Sequence, residues 1–169
     1  MRVRGAGGAD VGGGGGDGVG MRDGVGTKAG GGTGLGSGTS VGVGDVLPSL
    51  EIEITRTLVV AGAIASRDYQ DVHHDPELAR RRGSPDVFMN ILTTNGLVGR
   101  YVTDHFGRAA VLRKVAIRLG APNYPGDTMV LTGIVEATDG TTVTVRVTGD
   151  NGVGRHVTGT VTLTLGEAA

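Results

Sequence analysis

Residues 141–165 carry the plainest pattern in the chain. Val143, Val145 and Val147 alternate with threonine and arginine; Asp150, Asn151 and Gly152 then mark a turn. The alternation resumes through Val157, Val161, Leu163 and Leu165. A period of two marks half-buried strands. The same reading gives strands at residues 111–119 and 128–137, with Asp139-Gly140 as a hairpin turn. Pro122, Pro125 and Gly126 place a loop between those two strands. Residues 51–64 also begin by alternating, at Ile52 and Ile54, and then run almost uniformly apolar. They are read as a first strand that passes from an edge into the interior.

Two other segments carry helix signals. Asp75-Pro76 opens a short helix over residues 76–82, since Asp75 suits a cap and Pro76 a first turn; Gly83-Ser84-Pro85-Asp86 ends it. Residues 90–106 form the one long helix, with Ile91, Asn95, Val98, Val102 and Phe106 on one stripe and Gly107 at the C-terminal cap. Leu92, Leu97 and Tyr101 make its other faces apolar too, and Gly96 and Gly99 are expected to admit close neighbours. One strand, one buried helix and four antiparallel strands predict an α+β arrangement. The order suits a single hotdog fold, an antiparallel sheet wrapped around one long central helix.

Composition divides the chain in two. Of its 34 glycines, 20 lie in residues 1–45, which hold no aromatic residue. Such a segment cannot bury enough apolar surface to offset the entropy of ordering it, so residues 1–45 are read as a disordered tail and 46–166 as the domain. Met21 is an internal candidate start within that tail. The G-x-G-x-x-G string in residues 12–20 lacks the strand and helix that a dinucleotide site requires. No cysteine is present, which excludes disulfides, thiolate zinc and a cysteine nucleophile. A net charge of −1 gives no basic excess for nucleic acid or anionic lipid. Arg80-Arg81-Arg82 is read as a solvated helix end. No apolar run is long enough for a membrane span, and glycine follows Met-Arg-Val-Arg where a signal peptide needs an apolar stretch, so a cytoplasmic protein is expected.

The candidate chemistry lies between the first strand and the long helix. His105 and His156 are expected at the surface. His73-His74-Asp75 sits in a polar connection five residues after Asp68. No third ligand cluster accompanies it, so no metal site is expected. Asp68 and His73 suit an acid/base pair gripping one water near neutral pH. On spacing alone a structural Asp–His hydrogen bond fits equally well.

Residues 67–77, Arg-Asp-Tyr-Gln-Asp-Val-His-His-Asp-Pro-Glu, resemble the signature of the MaoC-like (R)-specific enoyl-CoA hydratases. In that signature an Asp and a His stand five apart with an aliphatic residue before the His. Pro125-Gly126-Asp127-Thr128 is similar to the family's Pro-Gly-Asp loop, and the likeness covers residues 48–165. Residues 68–101, with Asp86-Val87-Phe88-Met89-Asn90-Ile91-Leu92-Thr93, are similar to one branch, the small dyad-bearing subunits of two-component hydratases in bacterial cholesterol side-chain degradation.

The resemblance implies syn addition of water to a trans-2-enoyl-CoA, catalysed by Asp68 and His73. The thioester oxygen would be held by backbone N–H groups near Asn90-Ile91. The aromatics cluster between residues 69 and 124, which fits core and dimer packing or, for Tyr69 and Phe88, lining of the acyl site. The branch implies a steroid substrate of the 3-oxo-4,17-pregnadiene-20-carboxyl-CoA type and a 17-hydroxy product. It also implies a second MaoC-like subunit, two of each, and no cofactor beyond the CoA of the substrate. Two departures from the family pattern stand out: Gln70-Asp71 replace Asn-Pro, and Met89-Asn90 replace His-Gly at the helix start. Rival readings are a hotdog acyl-CoA thioesterase with Asp68 as base, and a non-catalytic acyl-CoA-binding subunit.

Overall fold

A computed structural model describes residues 40–166 of the 169-residue chain; the rest of the proposed glycine-rich tail lies outside the described residues. The elements run β1 (Val46–Ile54), α1 (Arg56–Ala65), a 3₁₀ turn (Asp71–His73), α2 (Pro76–Arg81), α3 (Ile91–Phe106), β2 (Ala110–Leu119), β3 (Asp127–Thr138), β4 (Thr142–Asp150) and β5 (Arg155–Leu165). The five strands form one antiparallel sheet in the order β1-β3-β4-β5-β2, and α3 packs on it against β1, β2, β3 and β5. The α+β arrangement predicted from the pattern is therefore present.

The alternating strands behave as their sequences require. Val143, Val145 and Val147 of β4 and Val157, Val161 and Leu163 of β5 are fully buried, with threonines and Arg146 between them on the more exposed side. The β3–β4 turn closes on Gly140 at φ +90°, and the Asp139 carboxylate accepts the N–H groups of Thr141 and Thr142. The entering chain joins the sheet slightly ahead of Val46: Gly44 donates to Val135 O and Val135 donates to Asp45 O. Pro48 is accommodated because β1 is an edge strand whose register shifts between Leu47 and Leu50.

One element differs from its expectation. The predicted first strand at residues 51–64 ends at Ile54, and Thr55 caps a helix by accepting the Leu58 N–H at 3.0 Å. A continuous apolar run does not distinguish a buried strand from a buried helix. Here Val59 and Ala63, one helical turn apart, are buried while Ala61 and Ile64 face out. The contact that makes a helix favourable is with α3. Gly62 lies so close to Thr93 that a Cβ there would sit 2.2 Å from the threonine hydroxyl.

The long helix is where it was expected, but its buried stripe is shifted. Thr94, Val98, Tyr101 and Val102 face the core; Ile91 is exposed, and Asn95 and Phe106 are half-buried. Gly99 meets the Leu112 side chain, whereas Gly96 faces open space, so the close approach expected at Gly96 occurs at Gly62 instead.

Candidate active site

The dyad loop starts where α1 ends. Asp68 N–H donates to Ala63 O and Arg67 N–H to Ile64 O, the paired bonds of a Schellman turn. Arg67 takes the left-handed position, φ +56°, that glycine usually fills. This turn reverses the chain sharply and delivers Asp68 back over the N-terminus of α3. The following 3₁₀ turn brings His73 to the same place. Phe88 N–H donates to Val72 O, pinning that turn to the segment that enters α3.

Asp68 and His73 do meet. Asp68 Oδ2 lies 3.3 Å from His73 Nε2, with His73 buried and the Asp68 side chain mostly so. On the other side of the ring, His73 Nδ1 is 2.7 Å from Phe88 O. A carbonyl only accepts, so Nδ1 carries a proton, and Nε2 is the nitrogen turned toward Asp68. The edge-on contact of Phe88 with His73, 5.1 Å between centroids, holds the imidazole plane, and Tyr124 in turn packs on Phe88.

Asn90 is buried at the start of α3 and spends its whole amide on neighbours. Its Oδ1 accepts the Thr93 N–H at 2.9 Å, and its Nδ2 donates to Ser66 Oγ at 2.8 Å and to Asp68 Oδ2 at 3.1 Å. The Ser66 hydroxyl donates to Gly62 O, so its lone pair is free for Asn90. Thr93 N–H is thus capped. The N–H groups of Ile91 and Leu92, by their place in the first turn, have no helical acceptor. They point out of the helix start, where the dipole favours negative charge.

The remaining residues expected at the site are placed as follows. Ile91 and Tyr69 are exposed beside the dyad, and Phe88 reaches it through the His73 ring. A groove of about 380 Å³ runs from Ser66 between α1 and α3, lined by Gly62, Leu92, Thr93, Gly96 and Arg100. In place of the family's Asn-Pro, Gln70 N–H reaches Asp68 Oδ1 at 3.4 Å and Asp71 pairs with Arg82.

Two histidines are not where the sequence pattern put them relative to solvent. His105 is half-buried at the end of α3, and burial lowers its pKa. His156, expected at the surface, is buried. The β4–β5 register shifts between Gly149 and Asp150, so His156 is an extra residue opposite that step and escapes the alternation. Its Nδ1 donates to Ala121 O at 2.6 Å and its Nε2 accepts from Thr94 Oγ1 at 2.9 Å. Burial pushes its pKa down, partly offset by the Ala121 bond. Neither Ser66 nor His156 was singled out for the site from the sequence. A hydroxyl at a helix C-terminus and a lone histidine in a strand carry no signal until a fold brings them to α3.

Residues 43–162 match the model of the MaoC-like domain. The chain belongs to the MaoC-like family. It is 48% identical over 123 residues to the 3-oxo-4,17-pregnadiene-20-carboxyl-CoA hydratase beta subunit of Mycobacterium tuberculosis, covering 73% of this chain and 95% of that one. The crystal structure of the ChsH1–ChsH2 complex from the same organism matches with a TM-score of 0.71 at 48% identity, covering 73% of this chain and 97% of that one. An (R)-hydratase from A. caviae, involved in PHA biosynthesis, matches with a TM-score of 0.68 at 20% identity, over 75% of this chain and 98% of that one; it shares the hotdog fold. This MaoC-like domain is thus a hotdog domain whose Asp68, His73 and α3 N-terminus converge.

Proposed function

We propose that this chain is the dyad-bearing subunit of a two-plus-two hetero-oligomeric hydratase acting in cytoplasmic steroid catabolism. Its substrate is a steroid side-chain enoyl-CoA of the 3-oxo-4,17-pregnadiene-20-carboxyl-CoA type, its product the 17-hydroxy thioester. The observation that carries the reading is the convergence of Asp68, His73 and the α3 N-terminus in a chain 48% identical to a hydratase subunit of that specificity.

The chemistry follows from the geometry. A water molecule donating one hydrogen to His73 Nε2 and the other to Asp68 turns its oxygen lone pairs outward, toward the β-carbon of a bound enoyl thioester. As the C–O bond forms, one water proton passes to the dyad and the C=C electron pair moves toward the thioester oxygen. The N–H groups of Ile91 and Leu92 at the positive end of α3 stabilise that enolate. The dyad then gives its proton to the α-carbon from the same face, so the addition is syn. Nothing in this cycle calls for a metal or a cofactor beyond the CoA carried by the substrate.

The exposed apolar side chains around the dyad, Tyr69, Ile91 and Leu92, support the second MaoC-like subunit, since together with the acyl group it would cover them. Co-expression with a MaoC-like partner chain, followed by assays of steroid and short-chain enoyl-CoA, tests the reading. The expected product gains one water by mass and retains its CoA. Release of free CoA from a saturated acyl-CoA would instead make the chain a thioesterase. Turnover of crotonyl-CoA without the steroid thioester would remove the substrate assignment and leave the reaction class.

A further inference from the structure

Asn90 opens α3, and its amide does three things at once. The carbonyl caps α3 at Thr93, while the two N–H groups bind Ser66 Oγ and Asp68 Oδ2. Its side chain is buried, so each of these groups needs a partner within the protein. Serine, threonine or aspartate could supply the cap alone. None of them also supplies two donors, and glutamine is too long for the cap. The amide therefore answers a demand beyond helix capping, and that demand comes from Asp68.

We infer that Asn90 is a positioning residue for the hydration step. It holds the Asp68 carboxylate so that Oδ2 faces His73 Nε2 while Oδ1, which accepts only the long Gln70 N–H bond among the described residues, stays available to the water. Without the amide, Asp68 keeps its backbone anchor at Ala63 but loses the side-chain contact that fixes its torsion. Ser66 completes the device by orienting the amide, and through its bond to Gly62 O it ties the end of α1 to the start of α3. Asn90 thus acts on the dyad carboxylate, while the oxyanion donors remain the N–H groups of the next residues. This inference rests on the hydration reading for its catalytic consequence and on geometry alone for the Asn90–Asp68 contact.

The test uses Asn90→Ser in the assembled two-subunit complex, because serine keeps an acceptor for the Thr93 N–H and removes both amide donors. Three readouts are taken: thermal melting, kcat and KM separately, and the Asp68 carboxyl titration followed by NMR on aspartate-labelled protein. His73, which faces Asp68, is followed in the same titration. The expected result is a folded complex with a modestly lower melting temperature, a fall in kcat of about ten-fold for a lost bond to a charged group, and little change in KM. The Asp68 titration should move upward relative to the wild type, since a donor to the ionised form has gone.

Wild-type kcat together with an unmoved Asp68 titration would overturn the inference and leave Asn90 as a cap. If the wild-type complex hydrates no enoyl-CoA, the hydration reading fails, and the Asp68 titration still decides whether Asn90 governs that carboxylate. Should Asn90→Ser not fold, Asn90→Gly provides the same comparison, because glycine is also favoured at a helix N-cap and carries no amide donor.

Discussion

Asp68 owes its position to an unfavourable residue just before it. Arg67 adopts φ +56° at the end of α1, a conformation that costs a residue with a Cβ about 1–2 kcal/mol. Glycine would avoid that cost but lose about 0.5–1 kcal/mol more backbone entropy on folding. Arg67→Gly is therefore expected to stabilise the domain by roughly 0.5–1 kcal/mol net, from the difference of these two terms. An unchanged or lower urea midpoint would show that the turn is not strained. His73 is held differently, by a carbonyl on one side and an aromatic edge on the other. The carbonyl keeps a proton on Nδ1, and the aromatic edge holds the ring plane. The identity of both residues was legible in the sequence, because a carboxylate and an imidazole five apart within a recognisable signature need few coordinates to be noticed. Ser66 and the role of Asn90 were not, since their meaning lies in contacts across 22 and 24 residues.

The elements that bear these residues are tied at one point of close approach. Gly62 of α1 sits against Thr93 of α3, and the Cβ of an alanine would meet the threonine hydroxyl at 2.2 Å and its methyl at 2.8 Å. Rotating Thr93 only exchanges one of these clashes for the other. Overpacking of this kind costs about 1–3 kcal/mol, against about 1 kcal/mol gained from the better helix propensity of alanine. Gly62→Ala is expected to lower the urea midpoint, and Thr93→Ala in the same chain to restore it. Failure of the second change to rescue the first would place the fault elsewhere in α1. The helix itself was hidden in the sequence by a uniformly apolar run. Strands with strict alternation, such as β4, were read within a residue or two. The difference is physical: alternation reports a face directly, whereas a continuous run reports only burial.

Across the whole molecule, the buried His156 links β5, the loop at Ala121 and α3 through Thr94. Its pKa is pushed below the usual histidine value by burial, so protonation favours the unfolded chain. Its contribution is complete above the unfolded pKa of about 6.5 and is lost as pH falls below that toward the folded value. His105 shifts the same way, for the same leading reason, and adds to the slope. The depressed carboxylates Asp75, Asp86 and Asp139 act in a lower window, losing their contribution only as pH falls below their unfolded values near 3.8. Urea midpoints at pH 8 and 5.5 should therefore differ in the wild type and differ less in His156→Gln. An equal difference in both proteins would mean that His156 is not the responsible group.

Asp68 and His73 are proposed to perform the hydration within a complex to which this chain supplies the dyad. The measurement that bears on it most directly is the loss of enoyl-thioester absorbance on adding the purified two-subunit complex to the steroid enoyl-CoA. Wild type is compared with His73→Ala and Asp68→Ala in complexes of the same composition and melting behaviour. Rapid loss is expected with the wild type, and rates lower by about 10²–10⁴-fold in each variant. Variants that hydrate the substrate at the wild-type rate would contradict this role for the dyad.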